Sequence, residues 1–279
     1  MTKLMKSVSS ILAAMLLLSF VSCQKENDAE EKQLKLDATD HALAEQTFGE
    51  VDDLADQAYD AGIGGLFNTT PEGGSPIWGN CATITRDTIS NPRVITIDFG
   101  PVNCMCNDGK YRRGQIIITY TGRYMQAGTV ITHGFNEYYV NDNHVEGSKV
   151  ITNQGLNTNN NMWWSKVVNG SITKPDGGVL TWTSTREKEW IEGRATPIRR
   201  DDVFLIRGSS TGSRPDGSTF SVLITTDLRK ELSCRWIVSG TMEITPANRP
   251  TRILDYGDGN CDRFATITIG NRTITIRLH

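Results

Sequence analysis

The chain has little that suits nucleic-acid binding, metal chelation or triad-type catalysis. Lys and Arg number 29 against 32 Asp and Glu, a net charge of −3, so there is no basic excess to meet a phosphate backbone, and nucleic acid is not expected as a partner. The four histidines, His41, His133, His144 and His279, fall on separate stretches with no legible grouping. Cys104 and Cys106 have one residue between them, whereas zinc-binding pairs need at least two. Long apolar runs are missing too. The longest begins at Val8 and ends at Phe20, is broken by Ser9, Ser10 and Ser19, and falls short of the about 20 residues that span a bilayer.

That short run is nonetheless informative. Lys3 and Lys6, the apolar stretch and the small Ser22 follow the charged, apolar and small-residue order of a secretory signal peptide over residues 1–22. Cys23 comes directly after it. Leu18-Ser19-Phe20-Val21-Ser22-Cys23 resembles a bacterial lipobox, with Phe20 where leucine is usual, and Gln24-Lys25-Glu26-Asn27-Asp28 resembles the export tag of outer-membrane lipoproteins of Bacteroidota type. The resemblance is confined to this N-terminal stretch. It implies lipidation at Cys23, a tether over residues 23–36, and a place in the outer membrane facing outward. Several acyl chains, at ~0.8 kcal/mol per buried CH₂, anchor far more firmly than one. Asp87-Thr88-Ile89 similarly resembles the O-glycosylation sequon of exported proteins of that phylum, which implies a glycan on Thr88.

Beyond the tether, Ala44, Phe48, Val51, Ala55 and Ala58 step by four and three, which predicts an amphipathic helix within residues 37–62. Its other positions carry Asp40, Glu45, Glu50, Asp52, Asp53, Asp56 and Asp60. Residues 26–60 hold twelve acidic side chains against two lysines, while residues 61–279 are mildly basic, so the segment either docks on the body or is solvated.

Residues 63–279 read as a single antiparallel β domain. Short runs rich in Ile, Val, Thr and aromatics alternate with polar residues, as at Ile116, Ile118 and Tyr120 or Ile274, Ile276 and Leu278. Turn chemistry separates them: Gly270-Asn271, Asn141-Asp142-Asn143, Pro175-Asp176-Gly177 and Pro215-Asp216-Gly217. The fold class is therefore all-β, an antiparallel meander folded into a sandwich or a partly open barrel, with one N-terminal amphipathic helix. In an exported protein the five cysteines after Cys23 are expected to pair, leaving one over. Cys234 and Cys261 flank a strand-turn-strand and are the expected pair; Cys81 takes Cys104 or Cys106.

Four stretches carry candidate chemistry. Gly208-Ser209-Ser210-Thr211-Gly212 has the form of a nucleophile elbow, but another β turn follows where a helix is needed. Glu187 and Glu189 share one face of a strand, roughly 6.5 to 7 Å apart, which enters the range of an inverting glycosidase pair; with Arg186, Lys188 and Glu192 around them, a charged edge strand is the expected reading. Asp255, Asp258 and Asp262 form the densest oxygen cluster, a candidate Ca²⁺ loop and the sole cofactor candidate. Trp163 and Trp164 are adjacent on a strand, so one can reach the surface and stack on a sugar ring or a partner protein. The expectation is a non-enzymatic, membrane-anchored binding or envelope-assembly protein with a glycan or another envelope protein as partner. The alternatives are a carrier of an apolar ligand such as lipid in a curled sheet, and a glycan-cleaving enzyme.

Overall fold

The computed structural model describes Asp40, residues 43–59 and residues 75–278; the expected signal peptide, Cys23 and the expected tether lie outside the described residues. Residues 46–279 form one compact unit, and Asp40 and residues 43–45, which are helical, belong to the unit before it. The helix α1, residues 43–59, is followed by fourteen strands. They are β1 (Thr83–Asp87), β2 (Arg93–Asp98), β3 (Cys104–Met105), β4 (Tyr111–Tyr120), β5 (Val130–Val140), β6 (Asn143–Leu156) and β7 (Met162–Thr173), then β8 (Val179–Glu192), β9 (Val203–Ser213), β10 (Thr219–Glu231), β11 (Ile237–Pro246), β12 (Arg252–Asp258), β13 (Phe264–Ile269) and β14 (Arg272–Arg277).

Each strand pairs antiparallel with the next along one continuous sheet, with β3 attached beside β4. The sheet does not close, so the fold is the expected all-β antiparallel meander in its open form. The turns explain the order. Ile269 pairs with Arg272 and Val140 with Asn143, leaving two-residue loops at Gly270-Asn271 and Asn141-Asp142. Both Asn141 (φ 48°) and Asp142 (φ 61°) occupy the left-handed region, the backbone that matches the twist of a tight hairpin.

Alternation gives the sheet two unlike faces. Along β8, Leu180, Trp182, Ser184 and Arg186 are buried, while Thr181, Thr183 and Thr185 between them are exposed. The buried face carries the core, including Ile116, Ile151, Trp164, Phe220 and Val238. Each fully buried apolar side chain of this kind contributes about 1.5–3 kcal/mol.

Within the second unit, residues 46–59 of α1 pack on that buried face. Phe48, Val51, Leu54, Ala55 and Ala58 are buried, and Phe48 meets the Phe135 ring edge-on with centroids 6.1 Å apart. Gly170 makes room for it: a Cβ there would lie 2.5 Å from the Phe48 Cζ. The acidic face of the helix docks rather than being left in water. Asp52 pairs with Lys149 (2.6 Å) and Lys166 (2.5 Å), Glu50 with Lys110 and with Arg112 (3.3 Å), and Lys149 also donates to the Phe48 carbonyl (2.8 Å). His133 lies 3.7 Å from Asp52. Burial pushes the Asp52 carboxyl up, but Lys149, Lys166 and His133 together hold it far below the ordinary range. Burial drives His133 the other way, down to about 4, so it is neutral at pH 7. Arg112, wholly buried, is clamped by both oxygens of Asp108 at 2.7 and 2.8 Å.

The structure has Cys234 joined to Cys261 and Cys81 joined to Cys104, with Cys106 a buried free thiol.

Candidate functional site

The exposed face of the sheet, opposite the helix, is built from hydroxyls and ends in a tryptophan. On β8 the outward residues run Thr181, Thr183, Thr185, Glu187, Glu189, and on β9 they run Ser213, Thr211, Ser209, Arg207. Thr181, Thr183 and Thr185 oppose Ser213, Thr211 and Ser209 directly, and the Thr181 and Ser213 hydroxyls are 2.7 Å apart. At the far end these rows border an open cleft of about 640 Å³, with Thr219, Ser221 and Thr245 on its other side. From Thr181 to Glu189 the row is roughly 27 Å long at the usual strand rise.

At the near end, Trp163 on β7 sits directly opposite Glu189, so both project from the exposed face. Trp163 is half-buried, and its indole is not among the buried groups that lack a hydrogen-bond partner. Glu189 is 5 % exposed and fully engaged: Asn157 (2.7 Å) and Asn161 (2.9 Å) donate to one oxygen and Arg207 (2.8 Å) to the other. Burial raises its pKa, yet the three donors outweigh burial and hold the carboxyl below its ordinary value. Arg207 also donates to Asp227 at 2.8 Å and stands 3.8 Å from Glu187, with 39 % of its side chain exposed. The Asn-rich turn between β6 and β7 is thereby pinned over the sheet, and Asn157 further accepts from the Asn159 and Asn161 amides at 3.0 Å. An aromatic face beside a fixed fan of amide, carboxylate and guanidinium groups suits a polyhydroxylated ring: apolar C–H groups against the indole, hydroxyls against the polar groups.

The other sequence-predicted residues fall as follows. Trp164, 2 % exposed, points to the buried face, where it stacks with Tyr124 at 5.5 Å and is closed to a ligand arriving at the outer face. β8 is not an edge: it lies between β7 and β9, and its Arg186 and Lys188 belong to the buried face. The expectation of an edge strand is corrected accordingly. Lys188 faces acidic side chains of α1, and Arg186 lies 3.3 Å from the Ser210 hydroxyl. Ser210 is 3 % exposed in the middle of β9, 3.3 Å from Arg186, with no strand-to-helix elbow. Asp255, Asp258 and Asp262 are spent on local turns, accepting from the Gly257 amide, the Asn260 side chain and the Phe264 amide, each at 2.8 Å. Among the described residues no group of three or more His, Cys, Asp or Glu is placed to hold a metal ion. Thr88 is exposed in the loop joining β1 and β2, beside Ile89, which is 96 % exposed. Asn157, Asn161 and Arg207 were not singled out by sequence. Their signal is the polar run after Leu156, which gains meaning only once Glu189 is known to lie beneath it. No family model, curated protein or solved structure matches the chain.

Proposed function

We propose that the protein is a non-enzymatic glycan-binding module, lipidated at Cys23 in the outer membrane and presenting the exposed face of its sheet outward. The observation that carries the reading is Trp163, on the exposed face at the end of the Thr and Ser rows and flanked by the Glu189 cluster. A track of this length suits an extended polysaccharide better than a single sugar. The apolar-carrier reading has less support: residues 46–59 occupy the buried face of the sheet, and the groups between them are charged and paired. The glycan-cleaving reading lacks a proton donor at this place, since Glu189 is held ionised by three donors. The test is a polysaccharide array probed with the mature protein and with Trp163→Ala. Binding to one class of neutral or hydroxyl-rich polymer, weakened about tenfold or more in the variant, supports the reading, given that such stacking is worth about 0.5–1.5 kcal/mol beyond area burial. Equal binding by both proteins contradicts it.

A further inference from the structure

The open sheet has two edges, and they are unlike. At one, β1 carries Arg86 on the buried side of the sheet, opposite Ile95, where it donates to the Ala58 carbonyl of α1 at 2.7 Å. An inward-pointing charge is one of the devices that keep a sheet edge from pairing. β14, at the other edge, has no such device within its length. Between Arg272 and Arg277 it reads Thr273-Ile274-Thr275-Ile276, without proline or charge, and its register against β13 is unbroken. Among the described residues no strand lies beyond it. Leu278 donates to the Arg263 carbonyl at 2.8 Å, and inward and outward backbone groups alternate along an antiparallel strand. Ile274 and Ile276 therefore turn their N–H and C=O groups to β13, while Thr273, Thr275 and Arg277 turn theirs to the open edge. The Ile274 and Ile276 side chains share the buried face with Ile267 and Ala265 opposite them, yet both are only half-buried.

We infer that β14 is a dimerisation edge, pairing antiparallel with β14 of a second copy of this chain about a two-fold axis at Thr275. The strand is complementary to itself in this register. Thr275 meets the partner's Thr275, and Thr273 and Arg277 meet the partner's Arg277 and the partner's Thr273, so all three outward-facing residues are paired. Each pair exchanges two backbone hydrogen bonds, about six in all. Ile274 falls beside the partner's Ile276 on the buried face, and each Arg277 stands opposite a threonine, so apolar meets apolar and no like charges meet. A slip of one residue sets the buried face of one strand against the exposed face of the other, and a slip of two leaves at most two of the three outward residues paired. Joining β14 to β1 of another copy is head-to-tail and leaves edges free to grow a fibre; the charge on β1 opposes it, and the β14 pair closes on itself. The axis stands normal to the sheet, so both exposed faces lie on one side and residues 46–59 of both helices on the other. Two chains tethered to one membrane can adopt that disposition. The pairing does not rest on what the exposed face binds.

The mature chain with Cys23→Ala, which removes acyl chains and that thiol as causes of association, is measured by sedimentation equilibrium across micromolar concentrations. The expected mass is that of two chains. Thr275→Pro deletes only an outward N–H, which an edge strand tolerates, and should raise the dimer dissociation constant about tenfold or more with the circular dichroism unchanged. Thr275→Cys reads the register without relying on proline: the two Cα atoms at the axis are about 5.5 Å apart, so mild oxidation should link this variant to itself. Thr273→Cys and Arg277→Cys should link to each other in a mixture, and neither to itself. A parent chain that stays monomeric overturns the inference, as do masses that climb past two chains. So do an unchanged dissociation constant for folded Thr275→Pro and self-linking of Thr273→Cys as fast as that of Thr275→Cys.

Discussion

Asp52→Asn removes the carboxylate that Lys149 and Lys166 share. In the folded chain its oxygens lie 2.6 Å from Lys149 and 2.5 Å from Lys166, whose side chains are 6 % and 15 % exposed. Asparagine keeps the shape and a hydrogen-bond acceptor but removes the carboxylate that pairs with both ammonium groups. Breaking a buried pair by removing one partner costs about 3–5 kcal/mol, far more than a surface pair of similar geometry. With an m value near ~3 kcal/mol/M for a unit of this size, the urea midpoint should fall by roughly 1–1.7 M. The assay is urea unfolding followed by far-ultraviolet circular dichroism, with Asp52→Asn compared to the parent at pH 7. A triple variant, Asp52→Leu with Lys149→Met and Lys166→Met, should recover most of the loss, because a buried ion cluster replaced by apolar groups of similar volume is often neutral or stabilising. A loss below about 1 kcal/mol in the single variant would refute the idea that this cluster seats the helix on the sheet.

Three further outcomes are expected. His133 is buried and neutral with a folded pKa of about 4 against 6.5 for the free side chain, so below pH 6.5 the unfolded chain binds the proton that the folded chain refuses. Stability should therefore rise with pH between about 4 and 6.5, by up to about 3 kcal/mol, and His133→Gln should flatten that slope in urea titrations at stepped pH. Gly170→Ala places a methyl against Phe48, and thermal unfolding should show a loss of about 1–3 kcal/mol that Phe48→Leu, made in the same chain, partly relieves. Replacing Cys234 and Cys261 by alanine opens a loop of sequence separation 27 and should cost about 3.5 kcal/mol by the chain-entropy relation, measured by urea unfolding of the double variant.

Much of the fold is legible in the sequence because its rules are local. Gly270-Asn271 and Asn141-Asp142 dictate tight hairpins by backbone conformation alone, and the alternation around Ile116, Ile118 and Tyr120 marks the buried face without reference to any neighbour. The helix is equally plain from its four-and-three spacing. What local pattern cannot carry is the partner of a charge. Lys188 looks like edge protection, because the acidic residues that face it sit on a helix far earlier in the chain. The same limit hides the binding face. Trp163 and Trp164 are equivalent in sequence, and only the register of β7 against β8 sends one to the Glu189 cluster and the other into the core with Tyr124. Asp255, Asp258 and Asp262 show a related ambiguity: a carboxylate two residues before an amide serves a turn as well as a cation, and each of them accepts a hydrogen bond within its own turn.

The central claim, that ligand meets the exposed face through Trp163, is tested most directly by the six indole N–H resonances in a ¹⁵N-labelled sample titrated with the polysaccharide class selected on the array. The account predicts that the Trp163 resonance shifts and saturates while those of Trp164, Trp182 and Trp190 stay in place. Movement of the Trp164 or Trp190 resonances with Trp163 unchanged would contradict it and put the ligand on the buried face instead.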